Sequence, residues 1–150
     1  MDKKNAPYGG VIEKLTGCSD RMTISQAVVF LERQGLSITK TMIQNYVRVN
    51  ALTPPVDGRR YTRNHILMII LIDRFKSVCS LEEIGRLLSS YAQNAINGEN
   101  PDMFDVYKKF CELFDSKTKS LREIKSENPL LSAAAEAAAC KSFISEALIN

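Results

Sequence analysis

Apolar positions recur along most of this chain at steps of three and four rather than in alternation, which predicts helices. A brief helix is expected around Val11, Ile12 and Leu15, ahead of Gly17. Thr23 followed by Gln26 has the form of a capping box, and Ile24, Ala27, Val28 and Leu31 then keep helical spacing until Gly35 supplies a stop. A helix capped by Thr39 turns Met42, Ile43, Tyr46 and Val47 to one side and runs out near Asn50. Pro54 and Pro55 end helical possibilities, and Asp57-Gly58 is the dipeptide that two-residue hairpin turns prefer, because both central residues need positive φ. Thr62 can cap the next helix, which carries the unbroken apolar run Ile66–Ile72; a strand competes, but the flanking Arg63, Asp73 and Arg74 and the total span favour a helix buried on most sides.

Ser80 with Glu83 repeats the capping box, and Leu81, Ile84, Leu88 and Tyr91 follow at helical steps toward a close at Asn97-Gly98. Asn100-Pro101 opens another helix with Met103, Val106, Phe110 and Leu113 in line, and Asn128-Pro129 opens a last one. That helix contains Leu130, Leu131, an alanine stretch from Ala133 to Ala139 interrupted by Glu136, then Phe143, Ile144 and Leu148. Alanine allows close helix approach, so a packing partner is expected nearby. The fold class expected is mainly α, with one short β-hairpin.

Composition narrows the function. With 150 residues, 45% hydrophobic and 25% charged, the chain can build a core and is far from the disordered regime. The net charge of +3 hides an asymmetry: residues 1–76 hold 12 bases and 6 acids, residues 77–150 hold 8 and 11. The start, MDKKNAPYGG, lacks the apolar stretch of a signal peptide, and the longest apolar run is seven residues against the roughly twenty of a bilayer span. Cys18, Cys79, Cys111 and Cys140 are widely spaced with no CxxC, so they are expected as reduced thiols in a cytoplasmic protein without a membrane segment. A single histidine, no HExxH, no GxxxxGK and no nucleophile elbow leave no catalytic constellation, so no enzyme, metal site or cofactor is expected.

The stretch from Ile38 to Ser89 carries the chemistry. Lys40, Gln44 and Arg48 are four apart, with Thr41 and Asn45 beside them, opposite the apolar side. Arginine forks onto guanine, asparagine and glutamine pair both edges of adenine, and lysine and threonine suit phosphates, so this stripe is what a helix in a DNA major groove needs. Taken alone it reads better as a solvated face. The hairpin that follows, with Arg59 and Arg60, adds a second contact point able to hold the DNA backbone. From Ile38 to Lys76 there are seven bases against Asp57 and Asp73, which favours phosphate binding by counterion release. Tyr46 belongs to the core. His65, near a helix start and three arginines, reads as surface structure, with a phosphate contact as the alternative.

The blocks TKTMIQNYVRVNALTPP at Thr39–Pro55, RRYT at Arg59–Thr62 and CSLEEIGRLL at Cys79–Leu88 resemble the MerR-type winged helix-turn-helix, and more narrowly a Firmicute family, itself uncharacterised, that contains a MerR-like DNA-binding domain. The resemblance covers about a third of the chain tightly and two thirds loosely. It implies a winged helix-turn-helix over residues 20–98 and a helical dimerisation or packing segment over 99–150. It also implies that Thr41, Gln44, Asn45 and Arg48 face the groove, that Arg59 is a wing arginine on phosphate, and that Tyr61 fixes the wing to the core or touches the backbone. Lys40, Arg60 and Arg63 complete the expected DNA-binding set. Gln44 stands where such proteins commonly place arginine, Ala51 replaces their usual glycine, the wing is short, and no metal-binding cysteine loop is visible.

The expectation is therefore a DNA-binding transcriptional regulator with double-stranded DNA as partner, acting as a homodimer through the apolar stripe Met103–Leu113. Two alternatives remain at this point. One is a helical protein-protein interaction module whose basic stripe only solubilises it. The other is a sensor whose Met103, Phe104, Tyr107, Phe110 and Phe143 enclose a small ligand.

Overall fold

Side-chain caps set where the helices begin. The computed structural model describes residues 10–96, 103–123, 125 and 127–149, with the backbone alone for 90–96. After the short α1 (Val11–Thr16), α2 (Ile24–Arg33) starts behind the capping box read from the sequence: the Thr23 hydroxyl accepts from the Gln26 N–H, and the Gln26 side chain accepts from the Thr23 N–H. Gly35, at φ 87°, follows its end. α3 (Lys40–Arg48) begins where the Thr39 hydroxyl accepts the Met42 N–H at 3.1 Å. It ends in a left-handed cap at Asn50 (φ 62°), with the Ala51 and Leu52 N–H groups both returning to the Tyr46 carbonyl.

The expected β-hairpin is present only as a single antiparallel bridge, Val56 to Arg60, and no strand occurs among the described residues. Asp57 (φ 53°) and Gly58 (φ 72°) take the positive φ values that the turn demands. The loop nevertheless holds three residues rather than two, because Arg59 precedes the bridge and donates its own N–H to the Val56 carbonyl at 3.1 Å. A second bridge, Met22 to Tyr61, ties the end of this segment to the residue before the α2 cap.

The apolar run Ile66–Ile72 is helical, within α4 (Arg63–Phe75), and every residue from His65 to Ile72 is buried. α5 (Leu81–Ile96) and α6 (Met103–Glu123) pack on α4, so α4 is the centre of a core reaching from Val11 to Tyr107. Ser80 and Glu83 form the expected capping box at the start of α5. The close at Asn97-Gly98, the opening at Asn100-Pro101 and the 98/99 boundary lie outside the described residues.

α6 departs from the expected stripe. Met103 and Tyr107 are its buried residues, Phe110 meets Phe75 edge-on at 5.4 Å, and Leu113 is about half exposed. The inward face is thus spent on α4. α7 (Pro129–Ile149) starts at the expected proline but buries none of its residues. The alanine stretch is exposed apart from half-buried Ala133; α7 packs on α5, and Lys141, Ile144, Ser145 and Leu148 are half-buried as well. Phe143 is 72% exposed while Met103 and Tyr107 sit in the core, so the five residues expected around a ligand do not enclose one cavity. Among the described residues, no helix is long and apolar enough to cross a membrane and no His/Cys/Asp/Glu cluster could hold a metal.

Candidate nucleic-acid interface

Burial of Ile43 and Tyr46 fixes the rotation of α3, and the remaining geometry follows from helical spacing. Lys40, Thr41, Gln44 and Arg48 are exposed and Asn45 is half-buried beside them. The five residues singled out from the sequence therefore share the outward side of one helix. Arg48 and Asn45 are already paired, the guanidinium donating to the Asn45 Oδ1. Beside them is a groove of about 410 Å³ lined by Thr39, Thr41, Met42, Asn45, Tyr46, Lys76 and Leu81. Lys76 closes its far side, 3.0 Å from Asp73 and 3.5 Å from the Tyr46 hydroxyl. Burial pulls the Lys76 pKa down, but hydrogen bonds and charge from Asp73 and Tyr46 outweigh that effect and leave it raised.

At the turn, Arg59 and Arg60 are exposed. Arg21 approaches Asp57 to 3.8 Å with both side chains mostly in water, a pair that contributes little. Of the other expected contact residues, Tyr61 takes the core-anchoring one of its two expected roles and Arg63 is placed differently. Tyr61 is buried, packs edge-on to His65 at 5.5 Å, and has its hydroxyl pKa raised by that burial, so it anchors the turn to the core and has no face for DNA. Arg63 turns back: its Nη2 donates to the carbonyls of Cys18 (2.6 Å) and Thr16 (3.2 Å), tying the end of α1 to the start of α4. Arg74 lies over the Phe114 ring at 4.5 Å. Of the seven bases between Ile38 and Lys76, the exposed ones without an ion pair or ring contact among the described residues are Lys40, Arg48, Arg59 and Arg60.

Over residues 22–110 the chain matches the family described as a domain of unknown function, DUF1836. It belongs to that family. No curated protein and no solved structure matches it. The DUF1836 segment takes in α2, α3, the turn, α4, α5 and the first part of α6, so all nine expected contact residues fall inside it and α7 falls outside.

Two residues of the DUF1836 segment matter more than their sequence pattern conveyed. His65 is not at the surface but 6% exposed. Its Nδ1 accepts from the Thr62 N–H at 3.0 Å, which takes the place of glutamate or glutamine in a capping box, and its Nε2 lies 3.0 Å from the Pro54 carbonyl. With Nδ1 accepting, Nε2 carries the proton and donates to Pro54. His65 thereby fastens the start of the turn segment to α4. The signal was its place three residues after Thr62, overlooked because histidine is an uncommon capping partner. Gly85 is the second. A Cβ there would stand 2.7 Å from the Asn50 carbonyl oxygen, so α5 crosses the end of α3 at backbone distance. A glycine inside an otherwise good helix was the available sign.

Proposed function

We propose that this protein is a cytoplasmic, DNA-binding transcriptional regulator of the MerR-like winged helix-turn-helix kind. α3 enters the major groove with Gln44, Asn45 and Arg48 toward base edges and Lys40 and Thr41 toward phosphates. The Val56–Arg60 turn acts as a short wing whose Arg59 and Arg60 meet the backbone. The observation that carries this reading is the outward side of α3: five polar side chains, each suited to a base or a phosphate, with the apolar side in the core. Thr39, Tyr61 and His65 support it by setting the helix start and holding the turn. The Arg48–Asn45 pair orders both side chains before binding and so lowers the rotamer entropy lost on contact.

Selection of bound duplexes from a random DNA pool tests the proposal. A recovered common sequence, bound more tightly than random duplex and lost in Arg48→Ala, is the expected result. Recovery of random sequence alone would leave the second reading, a helical protein-interaction module, which the exposed apolar residues of α7 favour.

A further inference from the structure

α2 leaves one apolar side uncovered. Ala27, Phe30 and Leu31 are buried, but Val29 is 45% exposed, and outside α6 and α7 only Val78 is as bare among the described large apolar residues. Val29 lines a groove of about 410 Å³ between α2 and residues 18–22, the segment that leads into it. Met22 and Phe30, both buried in the core, and the half-buried Cys18 supply the rest of the apolar lining. Ser25, Val29 and Arg33 follow at four-residue steps and form one row along the groove, about 12 Å from first to last. The volume and the mixture are those of a small-molecule site, mostly apolar with a few polar groups that set orientation.

The polar groups at this groove all favour an anion. No acid lines it, and Arg33 is exposed with no hydrogen bond, ion pair or ring contact among the described residues. Helical side chains lean toward the preceding turn, which is the direction from Arg33 to Val29. Gln26 also lines the groove; its side-chain oxygen is taken by the Thr23 N–H, which leaves its amide N–H groups to donate. One cation at one end of an apolar row calls for one anionic group at one end of an apolar molecule, and a carboxylate matches the planar guanidinium fork.

We propose that this groove binds an amphipathic monocarboxylate, its unbranched apolar body along Met22, Val29 and Phe30 and its carboxylate on Arg33, and that occupancy acts on the turn at Val56 and Arg60. The segment that a bound ligand displaces is fastened to that turn. The Met22 N–H and carbonyl both bond the Tyr61 backbone at 2.8 Å, and the Cys18 carbonyl accepts from Arg63 at 2.6 Å. Tyr61 directly follows the bridged Arg60, so a shift of residues 18–22 carries the end of the turn and the start of α4 with it. The site differs from the five residues expected around a ligand at Met103 to Phe143. Its occupancy and its pull on the turn are independent of DNA binding; an effect on DNA affinity rests on the wing reading above.

Titration of the full chain with decanoate, followed by nitrogen–proton correlation spectra, tests this without DNA. Saturable shifts are expected at residues 18–33, and at Tyr61 and Arg63, with a dissociation constant on the order of 0.1 to 1 mM for a ligand of this size. Arg33→Glu should weaken decanoate by roughly tenfold or more and gain binding of decylamine, with circular dichroism and melting temperature retained because the residue is exposed. No saturable shift below about 5 mM, or decanoate binding indifferent to Arg33→Glu, overturns the site. Shifts confined to the exposed apolar residues of α7 mean detergent-like adsorption and overturn it equally. Saturation at residues 18–33 with Tyr61 and Arg63 unmoved overturns the coupling to the turn.

Discussion

Gly85→Ala sets two effects of opposite sign against each other, and the structure decides between them. In an open helix interior the change from glycine to alanine adds about 1 kcal/mol of stability through helix propensity. At this position the added Cβ meets the Asn50 carbonyl oxygen at 2.7 Å, its carbon at 3.3 Å and the Ala51 Cα at 3.4 Å, all of them backbone atoms. Those atoms are poorly placed to retreat. Asn50 is already left-handed at φ 62°, Ala51 is buried, and its N–H is held 2.9 Å from the Tyr46 carbonyl. Overpacking against such a turn costs about 2 to 3 kcal/mol, the upper part of the usual range. The net expectation is a loss of about 1 to 2 kcal/mol, or roughly 3 to 8 °C in melting temperature for a domain of this size. Thermal unfolding followed by circular dichroism, with urea titrations to show an unchanged m-value, measures it. A melting temperature that rises would mean that α5 slides off the α3 turn at little cost, and the reasoning fails.

Further expectations concern the interface, the turn and the contact between α5 and α7. Arg48→Ala should reduce discrimination between cognate and altered duplexes by about 1 to 3 kcal/mol, measured by anisotropy titration, and equal discrimination would remove α3 from base readout. Arg59→Ala should weaken binding to all duplexes alike and lower the salt slope by about one unit; a slope that stays put excludes it from phosphate. His65→Ala leaves the Pro54 carbonyl and the Thr62 N–H without their partners and should cost about 2 to 4 kcal/mol, with faster amide exchange at Val56–Tyr61; exchange no faster than in the parent would mean that other contacts hold the turn. The Glu83 carboxyl is held down from 4.5 to about 2, chiefly by the Lys141 ammonium and then by the Ser80 N–H and the Ser145 hydroxyl. Its contribution to the contact between α5 and α7 is therefore complete above pH 4.5 and is lost as the pH falls toward 2. Amide exchange in α7 should accelerate across that window in the parent and be independent of pH there in Glu83→Gln, once the intrinsic exchange rate is divided out.

Most helix starts were legible because a cap is a local event: Thr23, Thr39, Thr62 and Ser80 each bond a backbone N–H three residues away, and no distant residue takes part. The outward stripe of α3 was legible for a similar reason, since Ile43 and Tyr46 determine the rotation of the whole helix. What escaped depends on contacts distant in sequence. Arg63 lies in a run of arginines that reads as a basic patch, but carbonyls 45 and 47 residues earlier claim its guanidinium. The alanine stretch of α7 gives a strong helix signal and no face signal, because a helix apolar on all sides looks the same in the sequence whether it is covered or bare. The α6 stripe was legible in part: Met103 is buried and Val106 and Phe110 pack against the core, but fully buried Tyr107 lies off that stripe and Leu113 is half exposed.

The burial of α4 has a consequence for how the chain is made. Eight successive residues of this helix have no solvent side, and part of their cover is Tyr107, thirty-five positions downstream of Ile72. During synthesis from the N-terminus, this oily segment leaves the ribosome before the residues that shelter it emerge, a delay of about 2 to 7 seconds at ordinary elongation rates. Throughout that interval the nascent chain presents its stickiest stretch to the cell, so translation speed between Ile72 and Tyr107, and the chaperones waiting there, bear on how much native protein is produced.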